Sequence, residues 1–294
     1  MLAAAAVQAA VLALLVAAVP RLAAALWTSR APWAGVLLWQ AGGLTAVLLA
    51  LEVVAALVLA PVGDTYAGAL EALPAPLPWP ALLLAVLAVL VGLRLAGALL
   101  ACTGRTLRSR RRHRELVDLV ATRHPLLRDT HVVDSALPVA YCLPGLRPRL
   151  VVSRAVLTEL DEPEVRAVLD HEAAHVQQRH DLVVLPFVAL GVTFPWSEVV
   201  RQARDSVALL VEMLADDRAA RWHDSRVLAR ALYKIGTGQV PVGSLAAGGA
   251  PVLLRAGRLV DRPRPLSWSA TAGAITAAAA LAVLPALGLL LPHL

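Results

Sequence analysis

The sequence has one lysine, two cysteines, few aromatic residues and little charge of either sign. Lys234 is the only lysine, so the net charge of +6 rests on arginine. The two cysteines, Cys102 and Cys142, are too few for a disulfide framework or a cysteine-based zinc site. Charged residues make up 16% of the chain against 59% hydrophobic, which excludes an ordinary soluble domain and points to a membrane protein. Aromatic residues make up only 4%, and the tryptophans lie mostly near the ends of apolar runs, where interfacial anchors sit. No positive charge precedes Arg21, so the first apolar run lacks the charged start of a signal peptide and is expected to remain as a span.

Four apolar stretches, 2–19, 34–60, 81–103 and 268–290, are long enough to cross a hydrocarbon core of about 30 Å. The proline-rich connection 61–80 carries Asp64 and Glu71 but no Lys or Arg. Arginines crowd the other side: Arg105, Arg108, Arg110, Arg111, Arg112 and Arg114 follow the third stretch, and Arg255, Arg258, Arg262 and Arg264 precede the fourth. Positive loops stay inside, which predicts a multi-pass protein of the plasma membrane with both termini outside and residues 104–267 in the cytoplasm. A nucleic-acid surface is the alternative for the first arginine run. Its position at the end of a span is explained by topology, so no direct nucleic-acid contact is expected. Glu52 and Arg94 fall inside spans. They are expected to be unpaired at different depths, with Arg94 snorkelling to the inner surface.

Between the spans, residues 171–175 read His-Glu-Ala-Ala-His. On a helix, positions i and i+4 share a face one turn apart, so His171 and His175 can bind one Zn²⁺ with Glu172 beside them as a general base. The helix is expected over 161–180, capped by Asp161 and Glu164 as a capping box, with Pro163 tolerated in its first turn. Val165, Val168, Leu169 and Val176 supply its buried stripe. Upstream, a helix over 106–123 precedes three short runs, 131–134, 139–143 and 150–153, broken by Pro138, Pro144-Gly145 and Pro148. These read as a small antiparallel sheet. The fold class is therefore an α-helical membrane protein of about four transmembrane helices with a cytoplasmic α+β zinc peptidase domain. The expected divisions are a three-helix region 1–103, a peptidase domain 104–267 and a last transmembrane helix 268–294.

A second helix, 205–222, places Glu212 and Asp216 at i and i+4. Glu212 can complete a His-His-Glu set that leaves a fourth position open, and Asp216 can accept a hydrogen bond from a ligand imidazole. His223, just beyond, is a candidate to reach an oxyanion. His180, five residues past His175, is expected to point elsewhere on its helix, and His113 to be solvated among the arginines. The run 182–195 is apolar but short and holds Pro186 and Pro195. If it crossed the bilayer, His171 and Glu212 would lie on opposite sides, so it is expected to be re-entrant, interfacial or part of a core.

The HEAAH motif followed by Glu212-Met213-Leu214-Ala215-Asp216 resembles the HExxH…ExxxD pattern of gluzincin membrane metallopeptidases. Ala140-Tyr141, Val151-Val152-Ser153, Ala167-Val168-Leu169 and Arg179-His180-Asp181 resemble the BlaR/MecR type of sensor-transducer peptidase. The segment from Ala231 to Ile235 is similar to the related Ste24/HtpX group. The resemblance spans roughly 104–236. It implies His171, His175 and Glu212 as zinc ligands, Glu172 as catalytic base and Asp216 as a supporting residue. It further implies an endopeptidase acting in regulated proteolysis on a protein substrate such as a cytoplasmic transcriptional repressor, with quality control of membrane proteins or a non-catalytic, zinc-stabilised receptor or scaffold as alternatives. Antibiotic-sensing members continue into an extracellular penicillin-binding domain. The sequence ends at Leu294, so β-lactam sensing by a domain of its own is not expected.

Overall fold

The computed structural model describes residues 1–72, 76–123, 130–143, 149–238 and 249–290. Pro144, Gly145 and Pro148, the expected strand breakers, lie outside them. In chain order the elements begin with α1 (Leu2–Ala23), α2 (Trp27–Arg30), α3 (Pro32–Leu59), α4 (Tyr66–Glu71) and α5 (Trp79–Val120). Next come β1 (Thr122–Arg123), β2 (Thr130–Val133), β3 (Ala140–Leu143) and β4 (Arg149–Ser153). The helices α6 (Arg154–Glu159), α7 (Glu162–Gln177), α8 (His180–Thr193), α9 (Glu198–Ala219), α10 (Ser225–Gly238), α11 (Gly249–Asp261) and α12 (Trp268–Leu290) follow. The chain divides into two compact units, one of Met1–Leu100, Pro186–Val207 and Leu266–Leu294, the other of Ala101–Leu185 and Ala208–Pro265.

The first unit holds helices that expose many large apolar side chains, such as Leu14, Leu44, Leu83 and Leu90, and bury small ones together with Trp39, Leu49 and Phe187. Among the described residues, four helices are long and apolar enough to cross a membrane: Leu2–Ala23, Pro32–Leu59, Trp79–Leu119 and Trp268–Leu287. Helix α3 packs against both α1 and α12. Its buried positions include Ala34, Gly35, Ala41, Thr45 and Ala56, which let backbones approach closely where lipid offers no hydrophobic drive. Thr45 Oγ1 donates to the Leu281 carbonyl at 2.7 Å. Glu52 and Arg94 are not paired with each other, as expected, and each has a partner of its own. Glu52 accepts from Gln8 Nε2 at 2.7 Å, because α1 lies alongside α3 and an apolar interior forces polar groups to find each other. Arg94 is bonded to backbone carbonyls. Its Nε donates to the Thr193 carbonyl at 3.1 Å and its Nη2 to Val192 at 3.3 Å, covering carbonyls that the end of α8 leaves orphaned. Pro186 sits inside α8 without ending it, since a proline removes one backbone donor. Phe187, next to it, is buried with its ring against Gly43, where an added Cβ would meet the ring edge at 3.5 Å.

The second unit is built on a four-stranded sheet of order β1-β2-β4-β3. It is mixed rather than antiparallel. β3 and β4 pair antiparallel, but β4 slots between β3 and β2 and runs parallel to β2, with Thr130 opposite Leu150 and Val133 opposite Ser153. The segment between β2 and β3 therefore carries the chain past the lane that β4 later fills. Alternation along β4 sends Val151 to one face, where it packs with Val117 of α5 and Leu143, and Val152 to the other, with Val156, Leu160, Val165, Val168 and Leu169. The opposite side of α7 presents Ala167 to Ala219, Leu228 and Leu259, so α7 is enclosed by sheet and helices. The expected helix 106–123 is no separate element: α5 runs unbroken to Val120, since Gly104 alone does not stop a helix.

Helix α7 starts where its sequence signals say. Asp161 accepts from the Glu164 amide at 2.9 Å, and the Glu164 side chain accepts from the Asp161 amide at 3.0 Å. Glu164 is buried, and its carboxylate also takes the lone lysine, with Lys234 Nζ at 2.6 Å.

Candidate metal centre

Helix α7 carries His171, Glu172 and His175, and α9 brings Glu212 and Asp216 to them. His171 Nε2 and His175 Nε2 lie 3.2 Å apart. Glu212 approaches both, at 3.5 Å from His171 Nε2 and 3.4 Å from His175 Nε2. The first distance is to Glu212 Oε2 and the second to Oε1; taking one ligand atom from each of the three residues, all lie within 4.8 Å of one another, close enough for one ion to be held by all three with a further position open. The donor set fits as well. Two imidazoles and a carboxylate suit zinc, and each imidazole turns its other nitrogen to a further partner. No other group of three His, Cys, Asp or Glu is drawn together in this way among the described residues.

Asp216 is completely buried, and its Oδ1 lies 3.0 Å from His171 Nδ1. That leaves Nε2 of His171 for the cluster. Arg255 of α11 closes the arrangement from the other side. Its Nε and Nη2 grip Asp216 at 2.8 and 2.7 Å, and its Nη1 reaches Glu212 at 2.8 Å. Sequence reasoning misses this residue, counting it among the arginines that set topology. A signal for it exists in the spacing: Arg255, Arg258 and Arg262 recur at i, i+3 and i+7, the first two on α11 and Arg262 just past its end. Arg258 pairs with Asp217 at 2.8 Å and Arg262 donates to Ser225 at 2.8 Å.

The protonation states follow from this crowding. Burial disfavours a charged His171, but the Asp216 and Glu212 carboxylates beside it outweigh that and raise its pKa to about 9. Burial would raise Glu212 and Asp216. The two imidazoles and Arg255 reverse the effect at Glu212, and Arg255 with His171 reverses it at Asp216, so both carboxyls sit below their usual range. Glu172 goes the other way, pushed up mainly by desolvation. His180 is held down to about 4 by burial and by His175.

His180 departs from its expected place. It is not on the motif helix but opens α8, and its Nδ1 lies 3.0 Å from His175 Nδ1. His223 Nε2 is engaged by Asp170 at 2.6 Å, on the residue before His171, and the structure shows it bonded there rather than to the cluster. His113 is not simply solvated, since its Nε2 contacts the Tyr141 hydroxyl at 2.7 Å.

Residues 106–234 match the family model described as peptidase family M48. The M48 match takes in the last third of α5, the sheet, α6 to α9 and most of α10, and with them His171, Glu172, His175, Glu212 and Asp216. Arg255 lies beyond it. No curated protein and no solved structure matches the chain. M48 peptidases depend on a metal, and the His-His-Glu cluster is compatible with zinc. The match points to a metallopeptidase, and four of the described helices are long and apolar enough to cross a membrane.

Proposed function

We propose that the chain is an integral membrane zinc endopeptidase with His171, His175 and Glu212 as zinc ligands and Glu172 as general base. The observation that carries this reading is the His171–His175–Glu212 cluster, with one ligand atom of each within 4.8 Å of the others, inside the stretch that matches M48. Bound there, zinc supplies a Lewis acid for the scissile carbonyl and lowers the pKa of the attacking water. Glu172 takes the proton of that water and returns it to the leaving amine, a task suited to a carboxyl whose pKa desolvation raises above its ordinary value. Asp216 fixes the His171 tautomer, and Arg255 holds both α9 carboxylates in place. Among the described residues β3 pairs only with β4, which leaves its outer edge for a substrate added as a strand. Cys142 on β3 feels the Glu172 charge, which adds to the burial that pushes its thiol up to about 11, so this edge runs beside the base.

The arginine-rich flanks support a cytoplasmic peptidase domain with both termini outside. The resemblance to the BlaR/MecR type supports a cytoplasmic regulator, of repressor type, as substrate. The likeness of the Ala231 to Ile235 segment to the Ste24/HtpX group favours a second reading, quality control of membrane proteins. Cytoplasmic proteomics of cells carrying wild type or Glu172→Ala tests both. One or a few regulators cleaved only by wild type is the expected result, and broad loss of membrane-protein fragments marks the second reading. Identical peptide profiles would sink the peptidase and leave a zinc-stabilised receptor.

A further inference from the structure

Asp216 accounts for one histidine of the triangle. The other ring has its own partner. His175 Nε2 faces His171 and Glu212, while His175 Nδ1 lies 3.0 Å from His180 Nδ1, the rings meeting edge to face with centroids 4.8 Å apart. His180 Nε2 in turn lies 2.9 Å from Gln178 Oε1. His180 is buried, whereas Gln178 is at the surface.

Two ring nitrogens at hydrogen-bond distance need one donor and one acceptor. A histidine that binds metal through Nε2 carries its proton on Nδ1. His175 Nδ1–H is then the donor and His180 Nδ1 the acceptor. The His180 proton sits on Nε2 and donates to Gln178 Oε1, a carbonyl oxygen that only accepts. Every proton in the chain is fixed by the metal's demand for one lone pair. Running the chain backwards would place a proton on His175 Nε2, aimed into the triangle.

The backbone is shaped to allow this. A residue five positions after His175 on a continuous helix would lie about 140° around the axis from it. Instead α7 ends at Gln177, Gln178 caps it, and Arg179 takes φ = 50°, a left-handed conformation uncommon for a residue with a side chain. The reversal folds His180 back over His175. Arg110 pins the next residue, with Nη2 3.2 Å from Asp181 Oδ2.

We infer that His180 and Gln178 form a positioning relay that sets the His175 tautomer for metal, as Asp216 does for His171. The inference rests on the zinc reading above, and the test keeps the two apart. Zinc affinity of the purified full chain in detergent is measured by chelator competition for wild type, Glu212→Ala, His180→Phe, His180→Asn, Gln178→Leu and Gln178→Glu. Glu212→Ala loses zinc if the metal site is real; tight zinc in that variant removes the site and the relay with it. His180→Phe keeps volume without an acceptor and weakens zinc about 10–100-fold. In His180→Asn the side-chain carbonyl can take the place of Nδ1, and affinity returns to within about threefold of wild type. Gln178→Glu binds at least as tightly as wild type and Gln178→Leu more weakly, an order that a packing role at an exposed position would not produce. Zinc loss in Glu212→Ala together with wild-type affinity in His180→Phe, or equal weakening by Phe and Asn, overturns the relay alone. Should His180→Phe fail to fold, the Gln178 pair decides: equal affinity in the Leu and Glu variants overturns it.

Discussion

In the unit of long apolar helices, buried polar side chains meet one partner at a time: Gln8 with Glu52, Thr45 with the Leu281 carbonyl. In the unit that holds the HEAAH helix, His171, Glu212, Asp216 and Arg255 from three helices converge in one buried cluster. The first pattern is what an apolar surrounding requires of any polar group, and it carries little information about function. The second is costly. Burying several charges together adds little net stability even when each is paired, and hydrophobic residues of similar size would serve packing better. The domain has an apolar core of its own around Val152, Val168 and Leu169, so packing does not require the cluster, and the proposed zinc site accounts for it.

The largest expected effect falls on chemistry alone. Glu172→Gln should lower cleavage of a substrate found by the proteomic comparison about 10²–10⁴-fold while zinc content stays near one per chain. A variant that cleaves at the wild-type rate would remove the base from its role and weaken the contrast between the units. Next comes the charge cluster as a structural liability. Arg255→Leu leaves the completely buried Asp216, and Glu212 with its side chain 38% exposed, without their cation, and should destabilise the second unit by about 3–5 kcal/mol in the zinc-free protein, most of it at Asp216. Thermal unfolding of chelated samples reads this. A loss under about 1 kcal/mol, the scale of exposed pairs, would mean that water reaches the cluster freely.

Legibility in the sequence follows the range of the interactions. The motif helix announces itself through contacts within one turn: the Asp161–Glu164 box, the stripe of Val165, Val168 and Leu169, and the i, i+4 histidines. Glu212 comes from a separate helix and shows only because Asp216 repeats the one-turn spacing beside it. Arg255 was hidden in plain view, since arginines flanking a span already have an explanation and its i, i+3, i+7 companions look like more of the same. His180 was hidden for a different reason. A left-handed residue is expected at glycine, and Arg179 gives no sign of one. Alternation in Val151-Val152 assigns faces but not strand order, so the parallel pairing of β2 with β4 could not be read.

A third prediction concerns protons at the cluster. In zinc-free protein the His171 pKa is raised to about 9 from its ordinary 6.5, so the folded state holds that proton more tightly than the unfolded state. The resulting stability is fully present below pH 6.5 and is lost as pH rises through about 9. The melting temperature of chelated protein should therefore fall across that window. With zinc bound, the ion replaces the proton, and the fall should disappear over the same range. A pH-independent melt of the chelated form would show that His171 is neutral already and that the carboxylates around it are satisfied by Arg255 alone.

The smallest effect belongs to the apolar unit and tests the other half of the comparison. Thr45 is completely buried on α3, and its hydroxyl donates to the Leu281 carbonyl of α12 at 2.7 Å. Thr45→Val keeps the shape and removes the donor. In water-soluble cores such a change leaves an orphaned acceptor at about 1–3 kcal/mol. Here Pro285, one turn on, has no N–H to offer, so the Leu281 carbonyl has no donor in its own helix ladder and the Thr45 hydroxyl covers it. A helix separated in lipid finds other partners, and interhelical hydrogen bonds run from about 0.6 kcal/mol on average to about 1.7 at most, so unfolding of Thr45→Val in bilayer-like micelles should shift by about 1–2 kcal/mol, with zinc affinity untouched. A loss of several kcal/mol would mean that α3 and α12 are held by this bond more than by the packing of Ala34, Ala41 and Ala56, and the two units would then treat buried polar groups alike.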